Sequence, residues 1–116
     1  MPLAQLQMDR LRVEIHPSKA ALGEAAAAFA ASRLLAALDR RPRARIIVGT
    51  GPSQNEVVEW LVQRRDLDWG RIEVFHMDEY VGLPCAHPAS FRRWARCARK
   101  ARRECSRWQP RPAPRP

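Results

Sequence analysis

The sequence predicts an α/β fold: a Rossmann-like parallel sheet with helices on both faces. Three short apolar strands alternate with two helical segments, and this β-α-β-α-β order is typical of parallel strands joined by right-handed crossovers. Two of the strands run directly into small or acidic residues, as strands do when the carboxyl edge of a sheet carries a site. A chain of 116 residues is short for a complete doubly wound domain, so we expect an incomplete fragment of that fold.

The first strand and helix are predicted from periodicity. Residues 11–15 alternate apolar and polar side chains, which indicates a strand, and Ser18 then follows as a candidate N-cap. An alanine-rich helix is expected from there to about Leu38. The apolar residues expected to face the core are Leu22, Ala26, Phe29, Leu34, Leu35 and Leu38.

Two further strands and one helix complete the pattern. Residues 46–48 form a short apolar strand that enters the small-residue loop 49–54. The helix after this loop has an apolar stripe of Val57, Val58, Leu61 and Val62. Residues 72–77 are the third strand, and the apolar run that begins at Val74 is of the kind buried on both faces of a parallel sheet.

The positive charge of the chain is concentrated at its C-terminal end. The formal net charge is +9, yet residues 92–116 contain ten basic residues and one acidic residue, whereas residues 1–91 contain eleven of each. We therefore divide the chain into a folded part, residues 1–94, and an Arg/Pro-rich tail, residues 95–116. The tail has three interpretations: a segment that binds nucleic acid or an anionic surface, a disordered extension, or codons translated out of frame. The neutral body does not favour a nucleic-acid partner.

Composition also bounds the location and the metal chemistry. Three cysteines, Cys85, Cys97 and Cys105, lack the paired spacing of a zinc site, and an odd number favours a reducing compartment. No uninterrupted apolar run approaches the roughly 18 residues of a membrane span, and the N-terminus lacks the layout of a signal peptide. We expect a cytoplasmic protein without a membrane partner or a metal.

The loop 49–54 is the first candidate binding element. Its glycines let backbone N–H groups turn toward a ligand, and the next helix begins with positive potential. Ser53 and Gln54 add a hydroxyl and an amide that could bind a phosphate oxygen. The loop matches neither the Walker A motif nor the complete G-x-G-x-x-G pattern. A tight turn with Ser53 as a helix cap is the alternative.

The pair Asp78-Glu79, directly after the third strand, is the second candidate element. A carboxylate held at this edge can act as a base toward a carbon next to a carbonyl, although a polar pair that merely ends a strand is common. Neighbouring strands lie about 4.8 Å apart, so both elements could contact one sugar phosphate, gripped at its phosphate while its far carbons react.

The motifs around these elements resemble those of the glucosamine-6-phosphate deaminase/isomerase family. The resemblance covers roughly residues 11–94 and is strongest in three stretches: Asp68–Ile72, Val74–Pro84 with its M-D-E-Y-V-G-L-P, and His87-Pro88-Ala89-Ser90-Phe91. It implies conversion of glucosamine 6-phosphate to fructose 6-phosphate and ammonia without a metal or organic cofactor. It also implies that Asp78 is the base of a C1–C2 proton shuttle. The residues implied to cradle the phosphate are Thr50, Gly51, Ser53 and Gln54.

Two departures from the family pattern leave catalysis by this chain open. Pro52 replaces a small residue and removes one N–H from the loop, and the family's D-G-H-x-A-F motif is absent. A non-catalytic remnant of the enzyme is therefore an alternative. A 6-phosphogluconolactonase-like hydrolase fits less well, since those enzymes carry D-E-R where this chain has Asp78-Glu79-Tyr80. Homo-oligomerisation is left open for a full-length enzyme, and a fragment should expose sheet and helix faces.

Overall fold

A computed structural model describes residues 1–49, 51–84, 86–91 and 93. Its elements in chain order are β1 (Ala4–Met8), β2 (Leu11–Ile15), α1 (Lys19–Arg40), β3 (Ala44–Val48), α2 (Asn55–Val62) and β4 (Ile72–His76). Single-turn 3₁₀ helices, Pro52–Gln54 and Trp69–Arg71, precede α2 and β4. The mixed α/β class predicted from the sequence is confirmed. The tail, residues 95–116, lies outside the described residues.

The strand predicted over residues 11–15 forms, but its partner differs from the expected parallel sheet. β2 pairs antiparallel with β1, in a register that runs from Ala4↔Ile15 to Met8↔Leu11. The turn between them contains Asp9 with a φ of 52°, a left-handed conformation that aspartate tolerates better than most residues. Residues 4–8 also alternate polar and apolar side chains, so an antiparallel partner for β2 stands only two residues away in the sequence.

β3 and β4 form the parallel pair that positions the candidate site. Their register runs from Ala44↔Ile72 to Val48↔His76. Side chains alternate between faces, and the face that carries Ala44 and Ile72 packs into the helical core. On the opposite face Ile47 and Phe75 are 67% and 52% exposed. In the part of the chain that the structure describes, helices therefore cover one face of this sheet, whereas the sequence predicted helices on both.

The buried stripe of α1 consists of small residues as well as leucines, and it differs from the predicted one. Leu34 and Leu38 are buried as expected, whereas Leu22 and Phe29 are 48% and 61% exposed. Gly23 is buried instead, because a Cβ at this position would lie only 2.5 Å from the Cβ of Glu56 on α2. The two helices therefore share one side of the sheet. The buried hydrophobic residues are Ala27, Ala31, Leu34, Leu38, Ala44, Leu61, Leu67 and Ile72.

Both ends of α1 are held by side chains. The Ser18 hydroxyl accepts a hydrogen bond from the Ala21 amide at 3.1 Å, which confirms the predicted N-cap. At the other end, the guanidinium of Arg71 donates to three backbone carbonyls. These belong to Leu38, Arg41 and Pro42, at 2.8, 2.9 and 2.8 Å. Because Arg71 immediately precedes β4, this contact ties the start of the strand to the end of the helix.

α1 also has the length and composition of a membrane-crossing helix, with 22 residues and a hydropathy of 1.4. Core helices of soluble proteins have the same length and composition, so one such helix is weak evidence for a membrane span. The buried stripe of α1 packs against Leu61 of α2 and Ala44 of β3. The expectation that the chain has no membrane partner stays a prediction.

Candidate active site

The two candidate elements leave the parallel sheet at the same edge. Val48, the last residue of β3, pairs with His76, the last residue of β4, and the Met77 amide donates to the Val48 carbonyl at 2.8 Å. The loop that begins at Gly49 and the acidic pair that begins at Asp78 therefore start from neighbouring strand ends. This is the edge where ligands of open α/β sheets are bound.

We call the loop 49–54 the anion loop, after its predicted role. Gly51 has an extended backbone with a φ of 178°, and the Gln54 amide donates to its carbonyl at 2.9 Å. Ser53 and Gln54 are exposed, at the start of α2. Neither caps α2 through its side chain, since Gln54 occupies the N-cap position without a side-chain bond. The interpretation of Ser53 as a helix cap is therefore not supported. Thr50 lies outside the described residues.

Asp78 stands at the rim with its side chain 72% exposed. The buried ring of His76 places Nδ1 3.0 Å from the Asp78 carbonyl oxygen and 3.8 Å from its carboxylate Oδ1. His76 also stacks on Phe91 with ring centroids 5.1 Å apart. The carboxylate of Asp78 is therefore anchored through its own backbone while its oxygens stay accessible to a ligand.

Glu79 has a role that the sequence did not predict. Its Oε1 accepts hydrogen bonds from the Tyr80 and Phe91 amides at 3.0 and 3.1 Å, and its Oε2 accepts one from the Ser90 hydroxyl at 2.9 Å. Ser90 is 1% exposed. Glu79 thus fastens the segment 86–91 to the end of β4, beside Asp78. The signal in the sequence was the spacing between Asp78-Glu79 and His87-Pro88-Ala89-Ser90-Phe91.

His87, in the segment 86–91, makes a local contact: its Nδ1 accepts a hydrogen bond from the Ala89 amide at 3.1 Å. This is a loop-forming role. Among the described residues, no group of three His, Cys, Asp or Glu side chains could hold a metal ion. The expectation of metal-free chemistry stays a prediction.

A cation lies against the anion loop. The ammonium of Lys19 donates to the Pro52 carbonyl at 2.8 Å and pairs with Glu56 at 2.9 Å. The hydrogen bond from Lys19 is the main reason that the pKa of Glu56 lies below its ordinary value, with a backbone hydrogen bond of Glu56 next. Lys19 was not among the predicted site residues, because 33 positions separate it from the loop in sequence.

Comparisons with known proteins agree with this architecture. The sequence profile of the glucosamine-6-phosphate isomerases/6-phosphogluconolactonase family matches residues 17–102. A glucosamine-6-phosphate deaminase from Arthrobacter sp. (strain FB24) is 38% identical over 85 residues, which are 71% of this chain and 31% of that protein. One from Pseudarthrobacter chlorophenolicus is 41% identical over 66 residues, 55% of this chain and 26% of that protein.

A solved structure shares the fold. A crystal structure from Neisseria gonorrhoeae, assigned as a 6-phosphogluconolactonase, superposes with a TM-score of 0.62 at 24% identity and covers 73% of this chain and 38% of that one. This likeness supports the Rossmann-like fold. The chain spans about a third of the length of the relatives that it matches. On the profile match and the sequence identities, the chain belongs to the glucosamine-6-phosphate isomerase/6-phosphogluconolactonase family.

Proposed function

We propose that residues 49–93 form the part of a sugar-phosphate deaminase/isomerase site that grips the phosphate and moves a proton. The observation that carries this proposal is the pairing of Val48 with His76. Because these residues end adjacent strands, the anion loop and the Asp78 segment begin next to each other. In this proposal Thr50, Gly51, Ser53 and Gln54 bind the phosphate of a hexose. Asp78 then faces the carbons at the other end of the open-chain sugar.

The chemistry assigned to Asp78 is proton transfer between neighbouring carbons. The carboxylate takes a proton from the carbon beside the carbonyl, and the electron pair of that C–H bond forms the double bond of an enol. Return of the proton to the adjacent carbon completes an aldose–ketose isomerisation, so no electrons leave the substrate. With an amino group at C2, the isomerised product is an imine at C2. Addition of one water to this imine and loss of ammonia then give fructose 6-phosphate. Binding of the distant phosphate holds the reacting carbon near the base.

Isotope exchange tests this step without requiring the complete reaction. Open-chain fructose 6-phosphate in D₂O should exchange a C1 hydrogen for deuterium in the presence of this chain, as followed by proton NMR. Asp78→Asn should slow the exchange by about 10²-fold or more, the usual contribution of a positioned base. Asp39→Asn, which removes a carboxylate from the last turns of α1, is the matched control and should leave the rate unchanged. Equal rates for Asp78→Asn and the unchanged chain would refute the assignment.

A non-catalytic remnant is the second candidate, favoured by Pro52, which removes one N–H from the anion loop. It predicts phosphate binding without C1 exchange and without ammonia release from glucosamine 6-phosphate. We expect this chain to release little ammonia, so robust turnover would exclude the remnant. The likeness to a 6-phosphogluconolactonase, at 24% identity, bears on the fold alone, so the lactonase alternative is not favoured.

The division at residue 94 and the cytoplasmic location are also proposals. Translation of the downstream DNA in the other two frames should reveal a D-G-H-x-A-F motif if residues 95–116 are out of frame. A genuine basic tail would instead give salt-dependent binding to DNA of arbitrary sequence, abolished by deletion of residues 92–116.

A further inference from the structure

Lys19 connects three elements: α1, the anion loop and α2. It is the first residue of α1, its ammonium donates to the Pro52 carbonyl in the loop at 2.8 Å, and it pairs with Glu56 in the first turn of α2 at 2.9 Å. Its side chain is half exposed. A charge-assisted hydrogen bond to a carbonyl is stronger than a neutral one. Lys19 can therefore hold the backbone of the loop at Pro52, in addition to balancing the charge of Glu56.

The position of Glu56 is set by packing and not by its charge alone. Gly23 lets the backbone of Glu56 approach α1, because a Cβ on Gly23 would meet the Glu56 Cβ at 2.5 Å and its carbonyl carbon at 2.9 Å. Within the residues that the structure describes, Glu56 Oε2 is buried without a hydrogen-bond partner. The other carboxylate oxygen, Oε1, is the one that Lys19 contacts. The helix contact thus holds Glu56 where it can receive Lys19.

Holding the Pro52 carbonyl determines the direction of the next N–H. The peptide bond between Pro52 and Ser53 is trans, since the described residues contain no cis peptide. In a trans peptide the C=O and the following N–H lie in one plane and point in opposite directions. With the carbonyl turned toward Lys19, the Ser53 N–H must point to the other side of the loop. The contact with Lys19 compensates for Pro52, which has no N–H of its own to offer.

We propose that Lys19 is a positioning residue of the anion site: by holding the Pro52 carbonyl, it turns the Ser53 N–H toward the bound phosphate. This inference rests on the proposed function, because it assumes that the loop binds a phosphate. Glu56 has a supporting role, as the partner that keeps the Lys19 ammonium beside the loop.

Two variants separate positioning of the loop from simple stabilisation. Lys19→Met keeps the aliphatic length but removes the donor, and it should weaken binding of inorganic phosphate by about tenfold, as expected when one charge-assisted contact is lost. The charge-swapped double variant Lys19→Glu/Glu56→Lys restores an ion pair between α1 and α2 without a donor on α1. This double variant should have the thermal stability of the unchanged chain but the weaker phosphate binding of Lys19→Met. Arg40→Met, at the far end of α1, is the matched loss of one positive charge and should bind phosphate within about twofold.

The direction of the Ser53 N–H provides a readout that needs no ligand. The residual dipolar coupling of this N–H in the free chain should change in Lys19→Met and stay unchanged in Arg40→Met. If the unchanged chain binds no phosphate, the proposed function fails, while the coupling still tests the inference. An unaltered coupling in Lys19→Met, or recovery of phosphate affinity in the double variant, would overturn the positioning role.

Discussion

Replacing Gly23 by alanine should destabilise the fold, although alanine is the better helix former. The added Cβ would lie 2.5 Å from the Glu56 Cβ and 2.9 Å from its carbonyl carbon, whereas ordinary carbon contacts are about 3.5–4.0 Å. These atoms belong to the backbone of α2 or are attached directly to it, so they cannot rotate away. α1 and α2 must therefore separate locally by about 1 Å.

The expected cost follows from two opposing effects. Overpacking costs about 1–3 kcal/mol, and rigid backbone contacts favour the upper end, whereas the gain in helix propensity is about 1 kcal/mol. The free energy of unfolding should therefore fall by about 2 kcal/mol, which corresponds to a decrease in Tm of about 10 °C. Urea and thermal unfolding followed by circular dichroism would measure both quantities.

Gly49→Ala is the matched control for stability. A Cβ there would have Gln54 Cγ as its nearest neighbour at 3.9 Å, an ordinary contact, so the variant should be neutral or more stable by up to about 1 kcal/mol. If Gly23→Ala proved as stable as the unchanged chain, the close approach of α1 and α2 would be refuted, and with it the support for Glu56 beside Lys19.

Three further perturbations test contacts around the site and the sheet. Glu79→Ala should speed amide hydrogen exchange at Phe91 and cost about 2 kcal/mol, whereas Glu79→Gln, which keeps an acceptor oxygen, should lose less. Arg71→Met removes three bonds to carbonyls at the end of α1 and should cost about 2 kcal/mol in urea unfolding. Acidification should lower the Tm. Hydrogen bonds from Arg45, then Arg43, depress the pKa of Glu73 below 4.5 in the folded chain. The stability that Glu73 contributes is therefore present above pH 4.5 and is lost as the pH falls through the pKa of Glu73 in the folded chain.

Each of these three predictions can be contradicted by a specific result. Unchanged exchange at Phe91 in Glu79→Ala would show that Ser90 and its neighbours are held by other contacts. A Tm for Arg71→Met equal to that of the unchanged chain would show that the hydrogen bonds of Arg71 do not stabilise the end of α1. If the decrease in Tm below pH 4.5 were the same in Glu73→Gln, the ion pairs of Glu73 would contribute nothing.

Much of the fold followed from periodicity and from residues at the ends of elements. Ser18 was identified as the N-cap because its side chain acts locally, and β3 and β4 were identified from short apolar runs. The buried face of α1 was misjudged, because hydrophobicity alone favoured Leu22 and Phe29. The actual face is set by the proximity of α2, which selects small residues such as Gly23 and is not encoded within the helix.

The candidate site divides in the same way. The shared edge of the loop and Asp78 was predictable, since parallel strands place their carboxyl ends together. The roles of Glu79 and Lys19 were not, because each depends on a partner that lies 11 or 33 positions away in the sequence. Local patterns reveal which residues could carry the chemistry, but the contacts that hold those residues in place are tertiary.

One titration tests the shared crevice most directly. Fructose 6-phosphate added to the ¹⁵N-labelled chain should shift the amides of Gly51 and Asp78 with a single dissociation constant, because one molecule contacts both. Inorganic phosphate should shift Gly51 and leave Asp78 unmoved. Different dissociation constants for the two amides with the sugar phosphate, or a response at only one of them, would contradict a common site for the anion loop and the base.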